Sequence, residues 1–297
     1  MKRDILVSVC MSTYNHEEYI EEALNSVLEQ ECDFEYEIIL SNDQSSDNTH
    51  AVITKYIENH PKGNKVRYYN QPKNLGINDN LIFTLEQAKG KYIALLEGDD
   101  YWTDSKKLQK QYVFLENNSD YTICTAAYAT DIPGEGYRII KHEEEVDGVT
   151  YTFNKLVGIR SHYLNMFFVR KALEIDRLKT FSYSGDNVIF IMCLANGKGY
   201  FFNQVFGYRR EHPNGAWSSK SLIERLKMSI EQFIGLYKFT EYKNAVRPIL
   251  FYYYADLIGF GDKQKSYGYN AFKMIRTWKE FLYFIKKIGN SLYQSNK

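Results

Sequence analysis

The sequence predicts an α/β protein with a mostly parallel central sheet flanked by helices, followed by a helical C-terminal extension. Two observations carry this. Strand-like and helix-like segments alternate through the first half, as repeated βα units do in a doubly wound sheet. From about Ser221 the pattern is helical to the end. Length and composition agree: 297 residues, 44% of them hydrophobic, suit one large domain with an appendage and a sizeable core. A domain over residues 1–220 and an extension over 221–297 are expected.

Ile5–Ser12 is a near-continuous apolar run, expected of a strand buried on both faces. Glu17–Glu29 carries Ile20, Ala23, Leu24, Val27 and Leu28 at helical spacing. Tyr36–Ser41 is a second strand, and Asp47-Asn48 opens a helix bearing Val52, Ile53 and Ile57. Val66–Tyr69 is a third strand. Leu81–Ala88 is a helix with Gly90 near its end. Tyr92–Leu96 is a fourth strand, Lys106–Glu116 a helix and Tyr121–Tyr128 a strand. The pattern then weakens. Residues 137–152 alternate as a hairpin would, Tyr163–Val169 reads as a buried strand, Asn187–Leu194 as a helix and Gly199–Tyr208 as a strand.

Lys plus Arg and Asp plus Glu both number 37, so no global field recruits nucleic acid and electrostatic function must be local. The 26 Tyr and 18 Phe suit carbohydrate or interfacial surfaces, or reflect biased composition. Cys10, Cys32, Cys124 and Cys193 form no CxxC pair, which points to reduced thiols. The run from Ile5 to Met11 is too short for a signal peptide, and no stretch reaches the ~20 apolar residues of a membrane span. A cytoplasmic location is expected.

Polar clusters follow the first, second and fourth strands: Ser12-Thr13-Tyr14-Asn15 with Glu17, then Ser41 to Asp47, then Glu97-Gly98-Asp99-Asp100-Tyr101-Trp102. In such sheets ligands sit beyond the carboxyl ends of strands, so the clusters should share one crevice. Paired carboxylates after a buried strand need a counter-charge, and a hard divalent cation bridging to a diphosphate supplies it. Capping of the next segment is the plainer use of such residues.

These clusters, with Asn42-Asp43-Gln44-Ser45-Ser46-Asp47-Asn48-Thr49, Asn74-Leu75-Gly76 and Ala88-Lys89-Gly90-Lys91-Tyr92-Ile93, stand in one order and spacing over residues 5 to about 115. In this the sequence resembles glycosyltransferase family 2, and the resemblance weakens on the way to about 217. It implies the GT-A fold, with a Rossmann-like sheet, and an inverting, metal-dependent transfer from a nucleotide sugar, a UDP-sugar, to an acceptor hydroxyl. The family's bacterial settings imply surface polysaccharide synthesis, with a saccharide or lipid-linked saccharide as acceptor. Tyr14 would stack near the base, Asp43 would accept its ring N–H, Asp99 would face the ribose and Asp100 would ligate Mn²⁺ or Mg²⁺. Ser12, Thr13, Asn15, Glu17 and Asn74 would complete the donor site. Two departures stand out. The first acid of the family's usual pair is Asn42, and Asn78-Asp79-Asn80 replaces a stretch where many relatives carry an Arg.

Inversion by direct displacement requires a base for the acceptor proton. Asp186 in Ser184-Gly185-Asp186-Asn187 matches the family's catalytic acid position, although Asp is also an ordinary helix N-cap. In the stretch from Tyr208 to Ser218, the resemblance implies that Arg210 steadies the leaving diphosphate and that His212 completes the metal shell, which would favour Mn²⁺. An exposed loop His is the alternative. Acceptor recognition is expected within residues 130–220.

A nucleotide-sugar-binding subunit without catalysis is the competing functional reading. A dehydrogenase is disfavoured because Met11-Ser12-Thr13-Tyr14-Asn15 stands where Gly-x-Gly-x-x-Gly would. Residues 262–297 hold eight Lys/Arg against two Asp/Glu. Phe281, Leu282, Phe284, Ile285 and Ile288 nearly fill one helical face there. Such a helix either contacts the inner face of the cell membrane peripherally or packs on the domain, and the sequence leaves both open.

Overall fold

The computed structural model describes residues 4–132, 134–142, 146–154, 156, 162–213, 215–260 and 265–295. Expectations that fall on 1–3, on 143–145 and 157–161 of the acceptor stretch, on Asn214, or on 261–264 and 296–297 lie outside the described residues. The chain divides into two units, Met1–Phe153 with Ile159–Glu211, and Asn154–Gly158 with His212–Lys297.

The first unit opens with β1 (Ile5–Thr13), α1 (Ile20–Leu28), β2 (Glu35–Asn42), α2 (Thr49–Asn59), β3 (Val66–Asn70), α3 (Ile77–Gln87) and β4 (Tyr92–Glu97). These strands lie in the order β3-β2-β1-β4 and are parallel throughout. β1 has neighbours on both edges, which explains its unbroken apolar run. Val7, Val9 and Met11 share one core with Ile20, Ala23, Leu24 and Val27 of α1, all fully buried. Truncating Leu24 to Ala there would cost about 2–5 kcal/mol. The turn into β4 needs a glycine: a Cβ on Gly90 would stand 2.6 Å from the Ser8 nitrogen. Ser8 Oγ accepts the Gly90 N–H at 2.8 Å and donates to Glu37 at 2.7 Å, and Arg67 neutralises Glu37 at 3.1 Å. This buried polar group sits at the start of the strands, away from their carboxyl ends.

The unit continues through β5 (Tyr101–Trp102), α4 (Lys107–Asn117), β6 (Tyr121–Ile132), β7 (Gly136–Ile140), β8 (Gly148–Tyr151), β9 (Phe167–Val169), α5 (Ile175–Leu178), α6 (Asp186–Leu194) and β10 (Lys198–Arg209). The sheet runs on from β4 as β9-β6-β10-β5. Here the expectation of a mostly parallel sheet is corrected. β10 lies parallel to β6, but β9 is antiparallel to β4 and β6, and β5 and β8 are antiparallel to β10. The sheet is mixed. Parallel neighbours need a crossover, usually a helix, and the regular strand–helix alternation stops after α4. Among the described residues β7, β8 and β9 follow one another without an α-helix between them, and they take antiparallel places.

Two local expectations change with it. The strands within 137–152 form but do not pair as a hairpin: β7 pairs with the end of β6, and β8 with the start of β10. Tyr163–Val169 is not one strand, because Tyr163–Asn165 is a 3₁₀ turn ahead of β9.

The second unit carries α7 (Leu222–Tyr237), α8 (Thr240–Gly259), α9 (Lys265–Met274) and α10 (Trp278–Ser295). Ser221 and Glu224 form a capping box at the start of α7. α8 is central, with α7, α9 and α10 packed on it. Among the described residues no helix is long and apolar enough to cross a membrane.

Candidate functional site

Strand register builds the site. Thr13 lies opposite Asn42, and Ser12 lies opposite Glu97, so β1, β2 and β4 end at one level. The chains leaving them are stitched together at once. The Asp43 N–H donates to the Thr13 carbonyl at 2.9 Å, and the Gly98 N–H to the Ser12 carbonyl at 3.0 Å. Gly98 permits the close approach, since a Cβ there would stand 2.5 Å from Thr13 Oγ1.

The residues expected to bind the donor line these turns. Tyr14 is 45% exposed. Asn15 holds a left-handed backbone, φ 55°, which Asn tolerates. Its side chain accepts the Ser46 N–H at 2.8 Å, and the Glu17 carboxylate accepts the Asn48 N–H at 2.9 Å. Both tie the β1 turn to the β2 turn. Asp43 is buried, and its two oxygens accept the Leu75 and Gly76 N–H groups at 2.6 and 2.9 Å. Asn74 Nδ2 donates to the Asp43 carbonyl at 3.0 Å. Asn42, the departure from the family's pair, uses both ends of its amide: it donates to Asn70 at 2.9 Å and accepts from the Ser45 hydroxyl at 2.5 Å.

The acids gather at the end of β4. Glu97, Asp99 and Asp100 each offer an oxygen within 4.8 Å of the others. Burial, then the Asp99 and Glu97 charges, holds the Asp100 carboxyl well above the usual carboxylate range. Burial, then Asp99 and Asp186, pushes Glu97 up to about 8. Asp186 is the first residue of α6 and accepts the N–H of Asn187 at 2.9 Å. Burial raises its carboxyl to about 6, against the pull of that hydrogen bond and of Arg209. Its loop is held on both sides. Tyr163 donates its hydroxyl to the Ser184 carbonyl at 2.6 Å, and Asn78 accepts the Ser184 N–H at 2.9 Å.

β5 folds back along the end of β10, with Tyr101 opposite Tyr208. This brings Asp99 and Asp100 beside the two arginines. The Arg210 N–H donates to Asp100 at 2.9 Å, and its guanidinium donates to the Asp99 carbonyl at 2.5 Å. That guanidinium also pairs with Glu22 and lies 4.6 Å from the Tyr101 ring centre. Arg210 therefore braces the acidic turn. Arg209 is the arginine whose charge lowers Glu97, Asp100 and Asp186 alike. It stands beside Arg210, the residue expected at the diphosphate, and is an addition that the fold makes to the site. His16 is a second addition, its Nε2 3.7 Å from Asp99 and its Nδ1 3.1 Å from Thr13 Oγ1. His212 belongs to the second unit, where its carbonyl accepts the Ser218 hydroxyl at 2.7 Å.

Chemically, Glu97, Asp99 and Asp100 form a hard-oxygen cluster in which burial and the neighbouring carboxylates oppose ionisation of Glu97 and Asp100. A divalent cation fits such a set, because it supplies the charge that a single guanidinium does not. Asp186, with its lower pKa, is ionised at neutral pH and suited to take a proton.

The family model described as Glycosyl transferase family 2 matches residues 8–190. Uncharacterized proteins of Mycobacterium tuberculosis and Mycobacterium bovis are 39% identical over 118 residues, 40% of this chain. The match spans only 34% of the length of these relatives. A putative teichuronic acid biosynthesis glycosyltransferase of Bacillus subtilis is 35% identical over 114 residues, 38% of this chain and 43% of its own. Among solved structures, S. aureus TarS 1-349 in complex with UDP-GlcNAc superposes with a TM-score of 0.66 at 17% identity, covering 97% of this chain and 80% of that one.

Proposed function

The chain belongs to glycosyl transferase family 2 and has the GT-A fold, and from that premise we propose that it moves a sugar from a UDP-sugar to an acceptor hydroxyl, with inversion, in polysaccharide synthesis. One observation carries the reading: β1, β4, β10 and the start of α6 bring Glu97, Asp99, Asp100, Asp186 and Arg209 into one electrostatic neighbourhood. The teichuronic acid relative supports a polysaccharide product, and the UDP-GlcNAc complex of the similar structure supports a UDP-sugar.

The exposed Tyr14 ring is available to stack on the base. Asp43 can receive a ring N–H beside the two backbone N–H groups it already holds. Asp100, with Asp99 and Glu97, would hold Mg²⁺ or Mn²⁺, which when bound offsets the charge of the departing diphosphate. Asp186 takes the proton of the acceptor hydroxyl as that oxygen forms its bond to the anomeric carbon. The bond from that carbon to the diphosphate oxygen breaks, and UDP departs with the electron pair. Because attack and departure occur on opposite faces, the centre inverts. The Asn187 N–H and, after it, the charge of Arg209 favour the ionised form of Asp186 against its burial.

The donor is tested by screening UDP-, dTDP- and GDP-sugars for thermal stabilisation with Mn²⁺ or Mg²⁺. Stabilisation by UDP-sugars alone is expected. Stabilisation by GDP-sugars alone would overturn the donor, and no response to any of them would overturn the transferase reading.

A further inference from the structure

The polarity of α10 runs opposite to that of an ordinary surface helix. Its inner side, packed on α8, is held by polar pairs. Glu280 is 4% exposed and bonds Arg247 at 2.9 Å and the N–H groups of Arg276 and Thr277 at 2.8 and 3.1 Å. Asp256 of α8 accepts the Tyr283 hydroxyl at 2.6 Å and pairs with Lys287 at 2.7 Å. Phe284 is the large apolar side chain buried with them. At 3.6 residues per turn, Trp278, Leu282 and Ile285 fall on the opposite side. They are 70%, 52% and 49% exposed. Phe272 of α9 is also exposed, its ring 6.1 Å from that of the inward Phe284, and is not part of this stripe. Single exposed apolar residues are ordinary on a protein surface, but a helical stripe of them is not.

Along α10, among the described residues, the exposed charges have one sign. Glu280 is buried and bonded, and Lys287 is committed to Asp256. The exposed charges next to the stripe are Lys279 and Lys286, adjacent in sequence to Trp278 and Ile285. Lys273 and Arg276 are exposed just before it. Tryptophan beside lysine on an apolar helical face suits the headgroup region of a bilayer, where apolar side chains enter and cations meet lipid phosphates. A second copy of the chain suits it less, since a two-fold contact on this stripe would bring like charges together.

We propose that the outer face of α10, Trp278, Leu282 and Ile285 flanked by Lys279 and Lys286, seats the protein on an anionic membrane surface. The contact is peripheral, with the helix lying in the interface plane. The proposal goes beyond the transferase reading and does not depend on it.

The test is co-sedimentation of the full chain with vesicles of phosphatidylcholine, with and without phosphatidylglycerol. Binding to the anionic vesicles is expected to be about tenfold or more tighter than to the neutral ones, and to weaken with salt. The triple variant Trp278→Ser, Leu282→Ser, Ile285→Ser should lose about a hundredfold in partitioning. It should keep the wild-type unfolding temperature, because the three side chains are exposed. Lys279→Gln with Lys286→Gln should lower the preference for anionic vesicles. Wild type that sediments with neither vesicle, or a triple variant that binds as wild type does, would overturn the proposal. So would a wild-type dimer that the triple variant turns into a monomer, since that outcome would assign the stripe to a second copy.

Discussion

Asn78, in the first turn of α3, accepts the Ser184 N–H at 2.9 Å and the Ser184 hydroxyl as well. Its amide also donates to the Phe181 carbonyl at 3.3 Å. A helix that follows the donor side of the sheet therefore holds the loop that delivers Asp186 two residues later. Asn78 falls in the segment that departs from the family's pattern, and here the departure has a structural use.

Asn78→Ala should therefore lower kcat about tenfold through loss of placement, because small displacements of a base are costly. Donor affinity should stay within a few-fold. Asn78→Asp keeps an acceptor for Ser184 and should recover part of the loss. Steady-state kinetics beside calorimetric titration of the donor checks this, and a raised KM with unchanged kcat would contradict it.

Much of this site was legible in the sequence. Buried parallel strands write themselves as unbroken apolar runs, and the polar residues that end β1, β2 and β4 could be placed at one edge from that alone. Asp43, Asp99, Asp100 and Asp186 all lie at strand or helix ends, as read. The rest depends on contacts distant in sequence. Phe167-Phe168-Val169 reads the same in a parallel or an antiparallel strand, so the mixed half of the sheet was hidden. Arg209 and Arg210 are neighbours of one type, and their roles are set by β5 and α6. On α10, Phe284 and Leu282 are equally apolar, and the ion pairs to α8 decide which turns inward.

Asp43→Ala should weaken UDP and UDP-sugar binding alike, by about tenfold. The substitution removes the proposed base contact and frees the Leu75 and Gly76 N–H groups that shape the turn. Loss shared by ground and transition states raises KM more than it lowers kcat. Unchanged UDP affinity in a calorimetric titration would remove Asp43 from the site.

Asp100→Ala should abolish transfer and should weaken donor binding mainly when Mn²⁺ is present. Wild-type activity should vanish with EDTA and return with Mn²⁺ or Mg²⁺. Transfer that survives exhaustive EDTA treatment would contradict a metal held by the acidic cluster.

The pH profile follows from Asp186. Burial raises its pKa to about 6. A base acts only when ionised, so protonation below that value removes it. With Mn²⁺ or Mg²⁺ saturating, so that the metal-holding Glu97 and Asp100 stay ionised, activity should be level near neutral pH and should fall about tenfold per pH unit below about 6. A kcat that stays level down to pH values near the usual carboxylate pKa of about 4 would argue against Asp186 as the base.

The central claim is that Asp186 takes the acceptor's proton, and Asp186→Asn tests it most directly. Asn keeps the shape and caps a helix about as well as Asp, but it cannot accept a proton at neutral pH. UDP release with a pool of saccharide acceptors should fall by about two to four orders of magnitude, the usual worth of a positioned base. Donor affinity by calorimetry should stay within a few-fold, and thermal stability should barely change. A variant that releases UDP at the wild-type rate would contradict the assignment, and a wild type that binds the donor yet transfers to no acceptor would make the protein a binding subunit.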